Sequence, residues 1–361
     1  MVVADNLNEN GPGSRIFRNP DTSETSTGIM MKPVRRFLCS LLVVFGLAAQ
    51  PAFADDGAVK IRDRKVLNGQ TEVAVAAFNV AFIFESTDQI QKTGGLMGAF
   101  GGVTKAKSEL VGVTPEIMQA VADAAYVDFM AKLAARNITT VPVDSLFADA
   151  NILKAINGTG PREIRIELEK KSTGVATVVK PSALPGQITL QGDLNERQSL
   201  GSFGRGFSES GRQAAIRTYV KESGIPLVSV VYLIDFSDQK RPGAFSLNGL
   251  KVNANLSVAP KFSRITVIGS KGQSEIVLNQ AVSVDGDFIE QADATGNTEK
   301  TAQAAANVGG GLAAAMGIGT PMIGKTRKYA FNAKPGNYEE GAAMAATRAN
   351  DVMTDALVSL R

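Results

Sequence analysis

The one cysteine of this 361-residue chain, Cys39, lies inside an apolar run, Phe37–Ala49 (FLCSLLVVFGLAA), and the chain has no histidine. Everything after that run must fold with no disulfide and with no thiolate or imidazole ligand. Ser-His-Asp and Cys-His catalysis are excluded, as are zinc and haem sites that need histidine. Stability has to come from a packed core, which a chain of this length can bury.

The run itself has the layout of an export signal. Met30 or Met31 is followed by Lys32, Arg35 and Arg36, then by the apolar stretch, then by Ala52-Phe53-Ala54 ahead of Asp55-Asp56. A basic segment, a short apolar segment and a small-x-small site are the three parts of a cleavable secretory signal. The run is too short to cross the ~30 Å hydrocarbon core as a permanent helix. Cys39 stands inside the apolar segment and not at its end, so no lipoprotein is predicted. The general secretory route and a periplasmic or outer-membrane-associated location are expected. Residues 1–29 are polar and aperiodic and precede the signal, so translation is expected to start at Met30 or Met31.

Composition fits a globular domain, with 44% hydrophobic and 20% charged residues. A net charge of +3 is too small to argue for nucleic acid. The expected organisation is an N-terminal extension at 1–29, a signal peptide at 30–54, a polar arm at 55–69 and a single α+β domain at 70–361. Loop insertions are expected at 157–212 and 297–330.

Within that domain, Phe78, Val80, Phe82 and Phe84 alternate with period two and predict a strand over 72–84. Thr114 as N-cap, Pro115 at the first helical position and Glu116 in the first turn predict a helix, with a stripe of Ile117, Val121, Ala124, Ala125, Phe129 and Leu133. Asn137 marks its end. A short strand over 138–143 and a helix over 144–156 follow. Strands are expected at 164–168, 175–179, 227–236, 250–258, 262–268 and 275–284, with Lys271-Gly272 in a turn. The stretch 191–212 is Gly/Ser-rich and is expected to be loop. A C-terminal helix carries Ala345, Ala349, Val352, Ala356 and Leu360, with Asn337 and Glu340 spaced as a capping box. The fold class is therefore α+β, an α/β sandwich with a mixed, largely antiparallel sheet packed by helices.

Four motifs suggest chemistry and each has a plainer explanation. Gly319–Thr326 matches G-x-x-x-x-G-K-[ST], and Val230–Asp235 resembles the apolar strand that ends in a magnesium-holding Asp. The required strand-loop-helix context is missing, because Arg327–Phe331 predicts a strand. Gly201–Gly206 lacks a dinucleotide context. Asp285-Gly286-Asp287 lacks the closing Glu of a calcium loop and predicts a turn. The Ala/Gly-rich segment 302–319 holds small-xxx-small pairs, Gly309/Ala313 and Ala315/Gly319, compatible with a membrane or subunit contact. No catalytic, cofactor-binding or metal-binding residue stands out, and no cofactor is expected.

The order of elements resembles the periplasmic α/β domain of the curli secretion channel, shared in outline with the lipoprotein activators of peptidoglycan synthases and the TolB N-terminal domain. The residues that carry the resemblance are Val73–Phe84, Ile117–Leu133, Thr140–Leu146, Leu250–Val284 and Tyr338–Leu360. It implies a non-catalytic role in envelope assembly or secretion, with envelope proteins and other copies of the chain as partners. A sheet edge and the 157–212 region are the expected contact surface. Two alternatives stand beside it: a subunit of an outer-membrane export ring with contacts from 297–330, and a carboxylate-dependent hydrolase.

Overall fold

A computed structural model describes residues 57–62, 66–67, 69–91, 103–168, 172–195, 203–240, 251–296 and 326–361. The strands are β1 (Val59–Arg62), β2 (Glu72–Gln91), β3 (Val103–Val111), β4 (Thr139–Thr140), β5 (Arg162–Glu167), β6 (Thr173–Val179), β7 (Leu227–Lys240), β8 (Lys251–Val258), β9 (Arg264–Gly269), β10 (Gly272–Leu278), β11 (Val282–Val284), β12 (Ile289–Asp293) and β13 (Thr326–Ala333). The helices are α1 (Pro115–Ala135), α2 (Val143–Phe147), α3 (Ala150–Ala155), α4 (Phe203–Ser223) and α5 (Asn337–Val358). The class is α+β, with one mixed, mostly antiparallel sheet and a C-terminal helix.

The path through the sheet runs β1-β10-β9-β7-β2-β3-β13-β12. Its centre is the parallel pair β2–β7, joined from Ala74↔Leu227 to Phe82↔Ile234. Every residue from Val73 to Ile83 is buried, as expected of a strand covered on both faces. On one face, Phe78 packs against Tyr126 and Phe129 of α1, with ring centroids 5.6 and 5.5 Å away. Tyr232 of β7 reaches Asn350 of α5 on that same face. On the other face, Asn79 donates to the Ile188 carbonyl at 2.7 Å. There a strap over 181–195 covers the sheet, with Leu184, Ile188, Leu190 and Leu194 buried.

Beyond Phe82 and Ile234 the two central strands part. Burial on β2 changes from continuous to alternating: Glu85 is exposed, while Ser86 and Asp88 are buried. One face of this half meets solvent, and the period-two rule returns. Here β2 pairs with β3 and β7 pairs with β8. The sheet then curls on itself, because Gln291 of β12 donates to the Val252 carbonyl of β8 at 2.8 Å. Phe236 and Phe331 stack inside the curl with centroids 5.0 Å apart.

Several expectations hold and several need correcting. Helix α1 has the predicted start: Thr114 is the N-cap and accepts from Ile117 N–H, and Asn137 takes φ 56° past the end. Ala124 lies outside the buried stripe, whereas Met118, Ala122 and Tyr126 lie in it. The strand over 138–143 shrinks to Thr139–Thr140, and the helix over 144–156 is two short helices. The arm over 55–69 is partly structural: β1 pairs with β10, and Leu67 is buried. Within the region 157–212, the expected strands at 164–168 and 175–179 are β5 and β6, whereas the stretch 191–212, expected to be loop, contains the end of the tied-down strap and the first half of α4. At the C-terminal helix, Gly336 at φ 78° takes the N-cap place and no side chain caps the end. Asn337 is instead the first helical residue, and its amide donates to the Asp287 carbonyl at 3.1 Å. A bulge between Asp235 and Ser237 shifts the β7–β8 register, so Ala254 is exposed and Ser257 buried.

Candidate functional site

The expected contact surface is the natural starting point. Strand β5 pairs with β6 alone, so its other edge faces no strand among the described residues. Ile164 and Ile166 point into the core, while Glu163, Arg165 and Glu167 are exposed. Alternation of this kind fixes the register of the β5–β6 pair, because a slip of one residue would bury the charges. The outcome is a short edge with charges of alternating sign and no neighbouring strand among the described residues, the kind of surface that strand addition uses.

The neighbouring strap is anchored and belongs to the core. Asn157 N–H donates to the Gln187 carbonyl at 2.8 Å, and Gln187 N–H to Gly158 at 2.7 Å. Lys180 Nζ donates to the Leu184 carbonyl at 2.6 Å. Asp193 accepts from Leu190 N–H at 2.7 Å, closing the turn in which Leu194 adopts φ 59°. Burial pushes the Asp193 carboxyl up to about 6, against the Leu190 N–H, which lowers it. The 157–212 region therefore contributes an edge and not a mobile recognition loop over its described part.

Two carboxylates meet inside the curl. Burial raises Asp235 to about 7, opposed by the Ser237 N–H 3.1 Å away and reinforced by the Asp88 carboxylate. The phenol of Tyr338 is also pushed well up, by burial and by Asp235. Ser86 lies directly opposite Ser108 and donates to Asp88 at 3.5 Å. Asp88 is 1% exposed, whereas Asp235 is half-buried. No motif marked Asp88; Asp235 entered only as the end of the Val230–Asp235 stretch likened to a magnesium-holding strand, and the approach of the two acids follows from the fold alone.

The remaining motifs fall as follows. Residues 319–325 of the phosphate-loop match lie outside the described residues, and Thr326 opens β13, a strand where that loop needs a helix. Val230–Asp235 is the middle of central strand β7. Gly201 lies outside the described residues, whereas Gly204 and Gly206 lie within α4. Asp287 is in the β11–β12 connection and is paired with Lys334 Nζ at 2.5 Å. Segment 302–319 lies outside the described residues. Among the described residues no cluster of three or more Asp or Glu could hold a metal ion. No described helix is long and apolar enough to cross a membrane. No protein-family model, no curated protein and no solved structure matches this chain.

Proposed function

We propose that the chain is an exported, non-catalytic envelope protein that organises an assembly by adding partner strands to the open edge of β5. The observation that supports this most is that edge itself: Glu163, Arg165 and Glu167 outward, Ile164 and Ile166 inward, and no neighbouring strand among the described residues. The export layout of residues 30–54 and the element order shared in outline with the curli channel and TolB-type domains support it further. Backbone pairing gives such a contact its affinity, and the alternating charges give it direction. A photo-cross-linker at Arg165 tests this in intact cells, with one at exposed Val127 of α1 as control. Discrete adducts from Arg165, lost on Glu163→Lys/Glu167→Lys, are expected; equal labelling from both positions counts against the proposal.

A second reading is a subunit of an export ring, with contacts from 297–330. It draws support from strand direction. The β2–β3 pair, strand β7 and the entry to β13 at Thr326 all lie toward one pole of the sheet. Light scattering in detergent separates the readings, since a ring requires a large closed oligomer.

A further inference from the structure

The turn between β5 and β6 decides which backbone groups of β5 face its open edge. Leu168 N–H donates to the Ser172 carbonyl at 2.9 Å, and the same register continues through Ile166↔Gly174 and Ile164↔Ala176. In an antiparallel pair, residues that exchange hydrogen bonds alternate with residues whose N–H and C=O point the other way. The even-numbered residues of β5 therefore bond to β6. The N–H and C=O groups of Glu163, Arg165 and Glu167 point to the side on which no described strand lies. The same three residues have the exposed side chains, while Ile164 and Ile166 are buried.

Charge along this edge runs minus, plus, minus, and an antiparallel copy reverses the order. Centred on Ile164, a second copy sets its Arg165 opposite Glu163 and its Glu163 opposite Arg165. Both isoleucines stay on the inward face, and opposite charges directly across a ladder attract. Centred on Arg165, the arginines would meet each other and Glu163 would meet Glu167, so that register repels. Centring on Ile166 would carry the pairing into the turn that Leu168 and Ser172 close. The strand at the other end of the sheet path is different. β1 pairs with β10 alone, and its exposed residues, Lys60 and Arg62, have one sign. Like-signed charge keeps an edge from pairing with a copy of itself, and β5 lacks that protection.

We infer that the strand added to β5 is β5 of a second copy, in a two-fold symmetric pair whose axis passes through Ile164. The inference rests on the reading of β5 as a strand-adding edge and names its partner. Such a contact is isologous and uses the single β5 edge of each copy, so assembly through it stops at two. An overlap as short as Arg162–Ile166 makes a small interface, below roughly 1,000 Å², and hence a weak pair.

The test is sedimentation equilibrium of the purified chain at low salt, from roughly 5 to 500 µM, the range in which a weak pair forms. The mean mass is expected to rise from one chain toward two. Glu163→Arg makes the facing charges all positive and Arg165→Glu makes them all negative. Each variant alone is expected to weaken pairing roughly tenfold or more, with an unchanged unfolding midpoint. An equimolar mixture of the two restores opposite signs at both positions and is expected to pair again. A single-chain mass at every concentration overturns the inference, as does an oligomer larger than two. So does pairing that ignores both variants, or a mixture that fails to pair. Cross-linking from position 165 in cells separates this outcome from the reading beneath it. Adducts with other proteins, from a chain that stays single in solution, overturn the inference and leave strand addition standing; neither adducts nor pairing removes both.

Discussion

Tyr232 Oη donates to Asn350 Oδ1 at 2.8 Å, and both side chains are fully buried. The Asn350 amide group in turn donates to the Ala125 carbonyl at 2.9 Å and to Asp128 at 2.8 Å. One side chain on α5 thus ties the central strand to α1, with one acceptor and two donors in use.

Removing that amide leaves the Tyr232 hydroxyl without its partner inside the core, while Asp128 keeps Lys132 at 3.1 Å. Buried polar groups stripped of a partner cost more than the bond itself contributes. Asn350→Leu is expected to lower unfolding stability by roughly 2–4 kcal/mol, measured by urea titration. A loss near zero would mean that the α1–α5 interface does not depend on this network.

Asp193 makes stability depend on pH. Its folded-state value is raised from 3.8 to about 6, so the native state keeps a proton that the unfolded chain has released. The protonated group's contribution is fully present below about pH 4 and is lost as pH rises through about 6. Asp193→Asn keeps an acceptor for Leu190 N–H and removes the titration. Between pH 4 and 7 the wild type is expected to lose roughly 2–3 kcal/mol relative to this variant. Parallel denaturation curves across that window would refute the assignment.

Gly341 sets opposing effects against each other. Alanine is the better helix former by about 1 kcal/mol. A Cβ here, however, would lie 2.7 Å from the Phe288 ring and 2.8 Å from Leu256 Cδ2. Overpacking is expected to win, with Gly341→Ala less stable by roughly 1–2 kcal/mol net. A stabilised variant would show that the β11–β12 connection gives way freely.

Glu85 and Glu109 face each other across the β2–β3 ladder. Glu109→Gln removes the repulsion and is expected to stabilise by about 0.2–1 kcal/mol at low ionic strength, with the gain fading as salt is added. A gain that ignores salt would point to something other than charge.

Legibility in the sequence followed the physics of each element. Helix α1 was readable because Thr114, Pro115 and Glu116 form a local start signal and its buried residues are large and apolar. The central strands were readable because they are covered by α1 and α5 on one face and by the 181–195 strap on the other and need unbroken apolar residues. Strand β3 was missed because its buried positions include Ala106 and Ser108, small residues that carry little hydrophobic signal. The first half of α4, Phe203–Arg212, holds glycines and serines that disfavour helix in isolation. β1 exists only through pairing with Leu278 and its neighbours, over 200 residues away. The capping box failed because the turn at Gly336 leaves Asn337 free to bond Asp287. The β5 edge was visible in the alternation of Ile164 and Ile166 with Arg165 and Glu167, whereas the Asp88–Asp235 pair needed the register of the β2–β3 ladder and the curl.

Whether the chain leaves the cytosol decides most of this account, since an envelope partner is met only after export. The direct measurement is the N-terminal sequence of the protein released from the periplasm by osmotic shock. A product beginning at Asp55 in that fraction is predicted; a cytosolic product that keeps residues 30–54 would contradict the account.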